Sequence, residues 1–267
     1  ANCILMTGAK PILCDIKPED GNIDISSTDE KADAIIPVHI YGNPCDFDSI
    51  RRMSEENKIP IVEDACQAHG AKYFDKKVGS LGDVGCFSFY PTKNMTVGGD
   101  GGMITTNNEE IQNEVISLRD NGRKSHTTHD KLGFTMRLNT VNAAIGRIQL
   151  SHLDERNSRR QKIAELYKKH LSEDYFLIEN PNGSSVFHQI IFRHKKRDDI
   201  MEHLSKNGIG TTIHYPIPIH KQPLYSYLNL TLSISEEFSN HVLTLPSYPQ
   251  LSDDDVKFVC ETINQIL

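Results

Sequence analysis

The period of the apolar positions changes several times along this chain, and each change marks an element. Phe47, Ile50 and Met53 recur at helical spacing behind Asp46, which predicts a helix over 46–57 with that aspartate as its N-cap. Ile111, Val115 and Leu118 predict a second helix over 107–118. From Thr140 a longer helical pattern runs through Ile145, Ile148 and Leu153 to Ile163, Leu166 and Leu171. Between these lie runs with strand character. Ile59-Pro60-Ile61-Val62 ends abruptly in Glu63-Asp64, Cys86 to Phe89 is apolar and aromatic, and Met103 to Thr106 is a short apolar-to-threonine stretch. Further on, Val186 to Phe192 is strand-like, 197–207 is helical, a last helix starts at Asp253, and Asn180-Pro181-Asn182-Gly183-Ser184-Ser185 predicts a loop.

Strand and helix alternate up to about residue 150, the pattern of an α/β fold. The elements after it suffice for a smaller α/β unit. The expected division is a large domain over 1–154 and a small one over 155–267, with the long helix as the bridge.

Candidate chemistry centres on Lys93, which follows a strand and runs into Gly98-Gly99-Asp100-Gly101-Gly102. A primary amine that can lose its proton is what an imine with an aldehyde cofactor requires, and glycines let the backbone pass close to a planar ligand. Alone, Lys93 reads first as a solvated loop lysine. Asp64 supplies a second, independent part: it ends a buried strand, and open α/β sheets bind ligands outside the carboxyl ends of their strands. A lysine imine with an acid beside a pyridine nitrogen is the pairing used with pyridoxal 5'-phosphate (PLP). The glycines do not form a dinucleotide fingerprint, because the G-x-G-x-x-G register fails and a strand follows.

Several blocks in order resemble the DegT/DnrJ/EryC1/StrS family of PLP-dependent sugar aminotransferases. They are Pro37-Val38-His39-Ile40-Tyr41-Gly42, Glu63-Asp64-Ala65-Cys66-Gln67-Ala68-His69-Gly70, Phe87-Ser88-Phe89-Tyr90-Pro91-Thr92-Lys93-Asn94 and Gly99-Asp100-Gly101-Gly102. The likeness continues through Arg137-Leu138, Asn142 to Gly146, His214-Tyr215-Pro216, His220, Leu245-Pro246 and Pro249. It implies fold type I of the PLP-dependent transferases: a mixed, mostly parallel sheet with flanking helices, plus a smaller C-terminal α/β domain. It further implies that Lys93 holds PLP and shuttles the proton, Asp64 pairs with the pyridinium nitrogen, Gln67 contacts the phenolic oxygen and Ser88 binds phosphate. His214, Tyr215 and His220 would lie near the substrate. His39 reads two ways, as a crevice-lining residue or as a hydrogen-bonded strand-end histidine.

The implied reaction moves an amino group from an amino acid, glutamate, to a nucleotide-linked keto-sugar, in a cytoplasmic homodimer. Lys93 argues against the sugar dehydratases of the same fold, which lack that lysine. Thr135 stands where many relatives carry asparagine, in a stretch with Arg137 that reaches a neighbouring subunit's cofactor. Ala1 to Pro11 resemble an interior stretch of the family's cofactor domain, so an N-terminal part with a phosphate-holding helix end is expected to be absent from this sequence. The rival expectation is therefore a non-catalytic fragment or regulatory protein that keeps the fold.

Composition narrows the field. With 267 residues and 37% apolar content the chain can bury more than one core. No apolar run approaches the ~20 residues that span a bilayer. A net charge of -7 argues against a nucleic-acid partner. Six scattered cysteines without a C-x-x-C pair predict reduced thiols, and none of the candidate histidines His39, His214 and His220 has helical i, i+4 metal spacing with a carboxylate, which predicts no metal site.

Overall fold

A computed structural model describes residues 1–267. A single turn, α1 (Asn2–Met6), precedes an irregular stretch that leads to α2 (Phe47–Asn57). Asp46 caps α2 by accepting the Ser49 N–H, Lys58 ends it in the left-handed region, and Phe47 and Ile50 face inward as their spacing predicts. β1 (Val62–Asp64) follows, then the short hairpin β2 (Lys72–Tyr73) and β3 (Lys76–Lys77), then β4 (Val84–Ser88) and β5 (Gly102–Thr105).

β1 and β4 run parallel with Asp64 opposite Cys86, and β5 lies antiparallel on the far side of β4 with Gly102 opposite Ser88. Parallel bridges Ile35 to Ile61 and Val38 to Asp64 extend the sheet beyond β1. The sheet is therefore mixed, as expected. It places Asp64 and Ser88 at one edge, each at the carboxyl end of its strand.

α3 (Glu109–Leu118) starts two residues later than predicted, because Asn108 is the residue whose side chain accepts the Glu110 and Ile111 N–H groups. The long predicted helix is in fact two, α4 (Thr140–Ser151) and α5 (Leu153–His170). At His152 the backbone bond tightens to Gln149 O, three residues back, and the chain turns. That turn lets Leu153 pack with Phe89, Met95 and Val97.

The 180–185 segment is not wholly loop: β6 (Gly183–Ser184) pairs antiparallel with β2. The predicted 186–192 strand is only half realised, as β7 (Ile190–Arg193). Phe187 takes φ 43, and the Val186 and Gln189 N–H groups are given to Gly42 O and Tyr41 O instead of to a strand. α6 (Arg197–Lys206), α7 (Ser233–His241), β8 (Val242–Leu245) and α8 (Asp253–Asn264) complete the chain, with β7 and β8 antiparallel and α8 opened by a Ser252–Asp255 capping box.

Ile163, Tyr167, Phe192, Leu204, Leu243 and Ile263 form the principal C-terminal core, while Ile35, Phe47, Ile50, Ile61 and Tyr73 form one beside the sheet. The first turn of α5 joins the Phe89 cluster and its middle joins the C-terminal core. All six cysteines are free thiols, and no helix is long and apolar enough to cross a membrane.

Candidate active site

Successive residues of a strand point to opposite faces, and the two acids that end β1 are parted in this way. Glu63 turns inward and is fully buried. Its Oε1 accepts the Leu81 and Gly82 N–H groups at 2.7 Å each, and its Oε2 accepts the Gly79 N–H at 2.6 Å and meets His39 Nε2 at 3.1 Å. Burial alone raises its pKa, but His39 and these backbone donors outweigh burial and hold it below the usual range. Asp64 turns the other way and stays half-buried. Its backbone is clamped on both sides, N–H to Pro37 O at 2.8 Å and O from His39 N–H at 3.1 Å. One carboxylate oxygen accepts the Cys66 N–H at 3.1 Å.

Gln67 follows in the turn after β1. Its Oε1 accepts the Tyr41 N–H at 2.6 Å, which aims Nε2 at the Tyr215 hydroxyl, 2.8 Å away. The Tyr41 hydroxyl in turn donates to His214 O at 2.6 Å. The 214–215 segment is thereby tied to the edge that carries Asp64. Burial and then the Asp64 charge push the Tyr215 phenol up, against the opposing effect of Gln67, so it remains a donor.

Ser88 ends β4, and its Oγ accepts the Tyr90 N–H at 3.3 Å, which leaves its own proton to donate. Five residues on, Lys93 is half-buried, in a turn closed by its N–H to Tyr90 O at 2.9 Å. In the glycine run that follows, Gly98 is the one at positive φ, +77°. The Lys93 charge is felt by three histidines. Burial first, and Lys93 after it, lower His69 to about 4, His188 to about 3, and His214 below its ordinary value. All three imidazoles are neutral near pH 7, so they add no positive charge beside the amine.

The structure thus brings Asp64, Gln67, Ser88, Lys93, His214 and Tyr215 to one side of the sheet edge. Two expected site residues are not there. His39 is fully buried with both ring nitrogens engaged, Nε2 by Glu63 and Nδ1 by the Cys45 N–H at 3.2 Å, so it is the hydrogen-bonded histidine and not a crevice-lining one. His220 is also buried, and its Nε2 meets Glu236 at 3.0 Å within the C-terminal part. Glutamates placed in the fold's interior and on α7 claim the two rings. Thr135 donates to Asn121 Oδ1 at 2.8 Å and Arg137 pairs with Asp120, contacts inside their own segment.

Sequence reasoning missed Tyr41, His188 and the asparagines around Lys93. The signal for His188 was present: it is the polar interruption of an otherwise apolar run. Tyr41 stands in the Pro37–Gly42 block, but nothing there gives it a role, which depends on a left-handed backbone, φ 58.

Residues 1–264 match the model of the DegT/DnrJ/EryC1/StrS aminotransferase family. The chain is 38% identical over 275 residues to a pleiotropic regulatory protein of Geobacillus stearothermophilus, covering 98% of this chain and 74% of that one. It is 39% identical over 271 residues to the dTDP-3-amino-3,6-dideoxy-alpha-D-galactopyranose transaminase of Aneurinibacillus thermoaerophilus, with the same shares covered. Among solved structures, DesV of S. venezuelae in complex with a ketimine intermediate superposes with a TM-score of 0.94 at 33% identity, over 99% of this chain and 74% of that one.

Proposed function

We propose a reaction for this chain on the ground that it belongs to the DegT/DnrJ/EryC1/StrS aminotransferase family: transfer of the amino group of glutamate to the keto group of a nucleotide-linked sugar, with PLP as cofactor. The observation that supports this reading is the position of Asp64, Gln67 and Ser88 at the carboxyl edge of two adjacent parallel strands, with Lys93 in the turn after Ser88 and its charge, like that of Asp64, acting on Cys66. Support for the substrate class comes from the relatives, one named as a dTDP-sugar transaminase.

The donor set suits PLP. Asp64 keeps a carboxylate oxygen free for a protonated ring nitrogen, Gln67 has a second Nε2 hydrogen for a phenolic oxygen, Ser88 has a hydroxyl proton for phosphate, and Lys93 supplies a primary amine. When bound, PLP supplies an aldehyde carbon that captures amines and a ring that accepts the electrons of a deprotonated carbon. Asp64, fixed by the Cys66 N–H, holds the ring nitrogen protonated by its negative charge. Lys93 would hold the cofactor through Nζ and, when that amine is free, would take a proton from the donor's carbon in the first half-reaction and give one to the sugar's carbon in the second. His214 and Tyr215 face the sugar as neutral groups, and the phenol is oriented by Gln67. Glutamate leaves as 2-oxoglutarate and the keto-sugar leaves as the amino-sugar.

Homodimer formation is part of the same proposal. Leu132 is 86% exposed, Met136 63%, Val141 68% and Ile148 63%, a density of bare apolar side chains that favours a covering surface. The six free thiols suit the reducing cytoplasm. A regulatory, non-catalytic reading is favoured by the name of the G. stearothermophilus relative. It expects a chain that releases no keto acid.

The deciding experiment supplies PLP and glutamate and follows 2-oxoglutarate by coupled assay, with Lys93→Ala alongside. Stoichiometric release by the parent alone supports transamination; no release from a folded, PLP-loaded parent removes it in favour of the regulatory reading.

A further inference from the structure

We propose that Asn94 and Asn157 are positioning residues that fix where the Lys93 amine stands relative to Asp64, an inference that rests on Lys93 being the cofactor lysine. Asn94 is the residue directly after Lys93 and is 7% exposed. Both its amide protons are used, one on Asn157 Oδ1 at 3.0 Å and one on Val186 O at 3.1 Å. Its Oδ1 must therefore accept, and it does so from His188 Nδ1 at 3.1 Å, which places that ring's hydrogen on Nδ1. Asn157, 5% exposed on α5, donates its own amide to His69 O at 2.8 Å.

The backbone one residue beyond Lys93 is thus tied to three separate elements: α5, the 186–188 segment, and through Asn157 the turn after β1, five residues past Asp64. Moving it breaks buried amide bonds that have no water to replace them. Gly70 reflects how closely this clasp is built, since a Cβ there would stand 3.0 Å from Asn157 Nδ2 at a φ of +86°. Apolar packing could fill the same space. A pair of hydrogen-bonded buried amides instead specifies one register, and register is what a nucleophile on a glycine-rich loop lacks. Both amide hydrogens and the oxygen of Asn94 are taken, and Asn157 is bonded through its nitrogen and its oxygen within the clasp, so both act through Lys93.

The step tested is capture of PLP by Lys93: Nζ attacks the aldehyde carbon, a carbon–nitrogen bond forms and one water leaves. Borohydride then delivers hydride to that carbon, and the peptide mass reports the lysine modified. In Asn94→Ala the capture rate at Lys93 is expected to fall about tenfold or more, the scale of a misplaced reacting group. In a Lys93→Ala background, methylamine supplies the amine from solution. Its rate of capture of bound PLP is expected to be the same within about twofold with and without Asn94→Ala, because the rest of the site is unchanged.

Unchanged capture at Lys93 in folded Asn94→Ala overturns the inference. So does a parallel fall with methylamine, which would mean a general collapse of the pocket. Asn157→Ala runs the same two measurements from the helix side should Asn94→Ala fail to fold. If the parent chain is itself not captured at Lys93, the proposed function falls and this inference with it; if the parent is captured and the variants match it, only the inference falls.

Discussion

Replacing Glu63 by glutamine tests the support beneath Asp64 without touching the crevice. Each Glu63 oxygen faces two donors: Leu81 and Gly82 N–H on one side, Gly79 N–H and His39 Nε2 on the other. His39 Nδ1 already takes the Cys45 N–H, so Nε2 carries the ring hydrogen and cannot switch to acceptor. A glutamine must therefore turn its NH₂ group toward one of the two donor pairs. Two buried donors are left unsatisfied, at about 1–3 kcal/mol each, or about 2–6 kcal/mol together. That is a large part of the ~5–15 kcal/mol by which domains are stable. Urea unfolding of parent and Glu63→Gln at neutral pH, with hydrogen exchange over 79–82, measures it. A loss below about 1 kcal/mol, with the 79–82 amides still protected, would refute the reasoning.

Asp64→Asn keeps the size of the side chain and removes its charge, so PLP capture at Lys93 should persist while 2-oxoglutarate release slows about 10²-fold or more; equal rates would remove Asp64 from the chemistry. His69 and His188 have folded values near 4 and 3 against an ordinary 6.5, so the unfolded chain binds more protons below pH 6.5 and stability falls with pH from there down through those values. The decline is up to about 1.4 kcal/mol per pH unit for each histidine, and urea midpoints that stay level between pH 7 and 5 would contradict it. Below about pH 4.5 the depressed carboxyls of Glu63, Asp15 and Asp46 add to the loss, because they too hold fewer protons folded than unfolded. His220→Gln should lower the melting temperature, by disturbing the contact with Glu236, and leave the glutamate half-reaction within about twofold; a large catalytic loss would return His220 to the site.

What could be read in advance was whatever one local pattern decides. The α2 cap at Asp46, the carboxyl-end position of Asp64 and the strand after the glycines are each set by neighbouring residues, and each is where the pattern put it. Periodicity fails over 140–171 and over 186–192, where tertiary partners override it. His152 turns so that Leu153 reaches Phe89, and Val186 and Gln189 bond the 41–42 turn of a distant segment. The site divides the same way. Lys93, Asp64, Gln67 and Ser88 sit in contiguous motifs, whereas the orientation of Gln67 by Tyr41 and the clasp of Asn94 by Asn157 join residues 26 and 63 positions apart. Of the two readings of His39 the structure selects the hydrogen-bonded one, because Glu63, on the inner face of β1, claims its ring from a separate segment.

The most direct test of the central claim is peptide mass mapping after PLP addition and borohydride reduction of the purified chain. One modified peptide is expected, the one containing Lys93, lost in Lys93→Ala and diminished when glutamate precedes the borohydride. Modification spread over surface lysines, or a Lys93 peptide indifferent to glutamate, would contradict it.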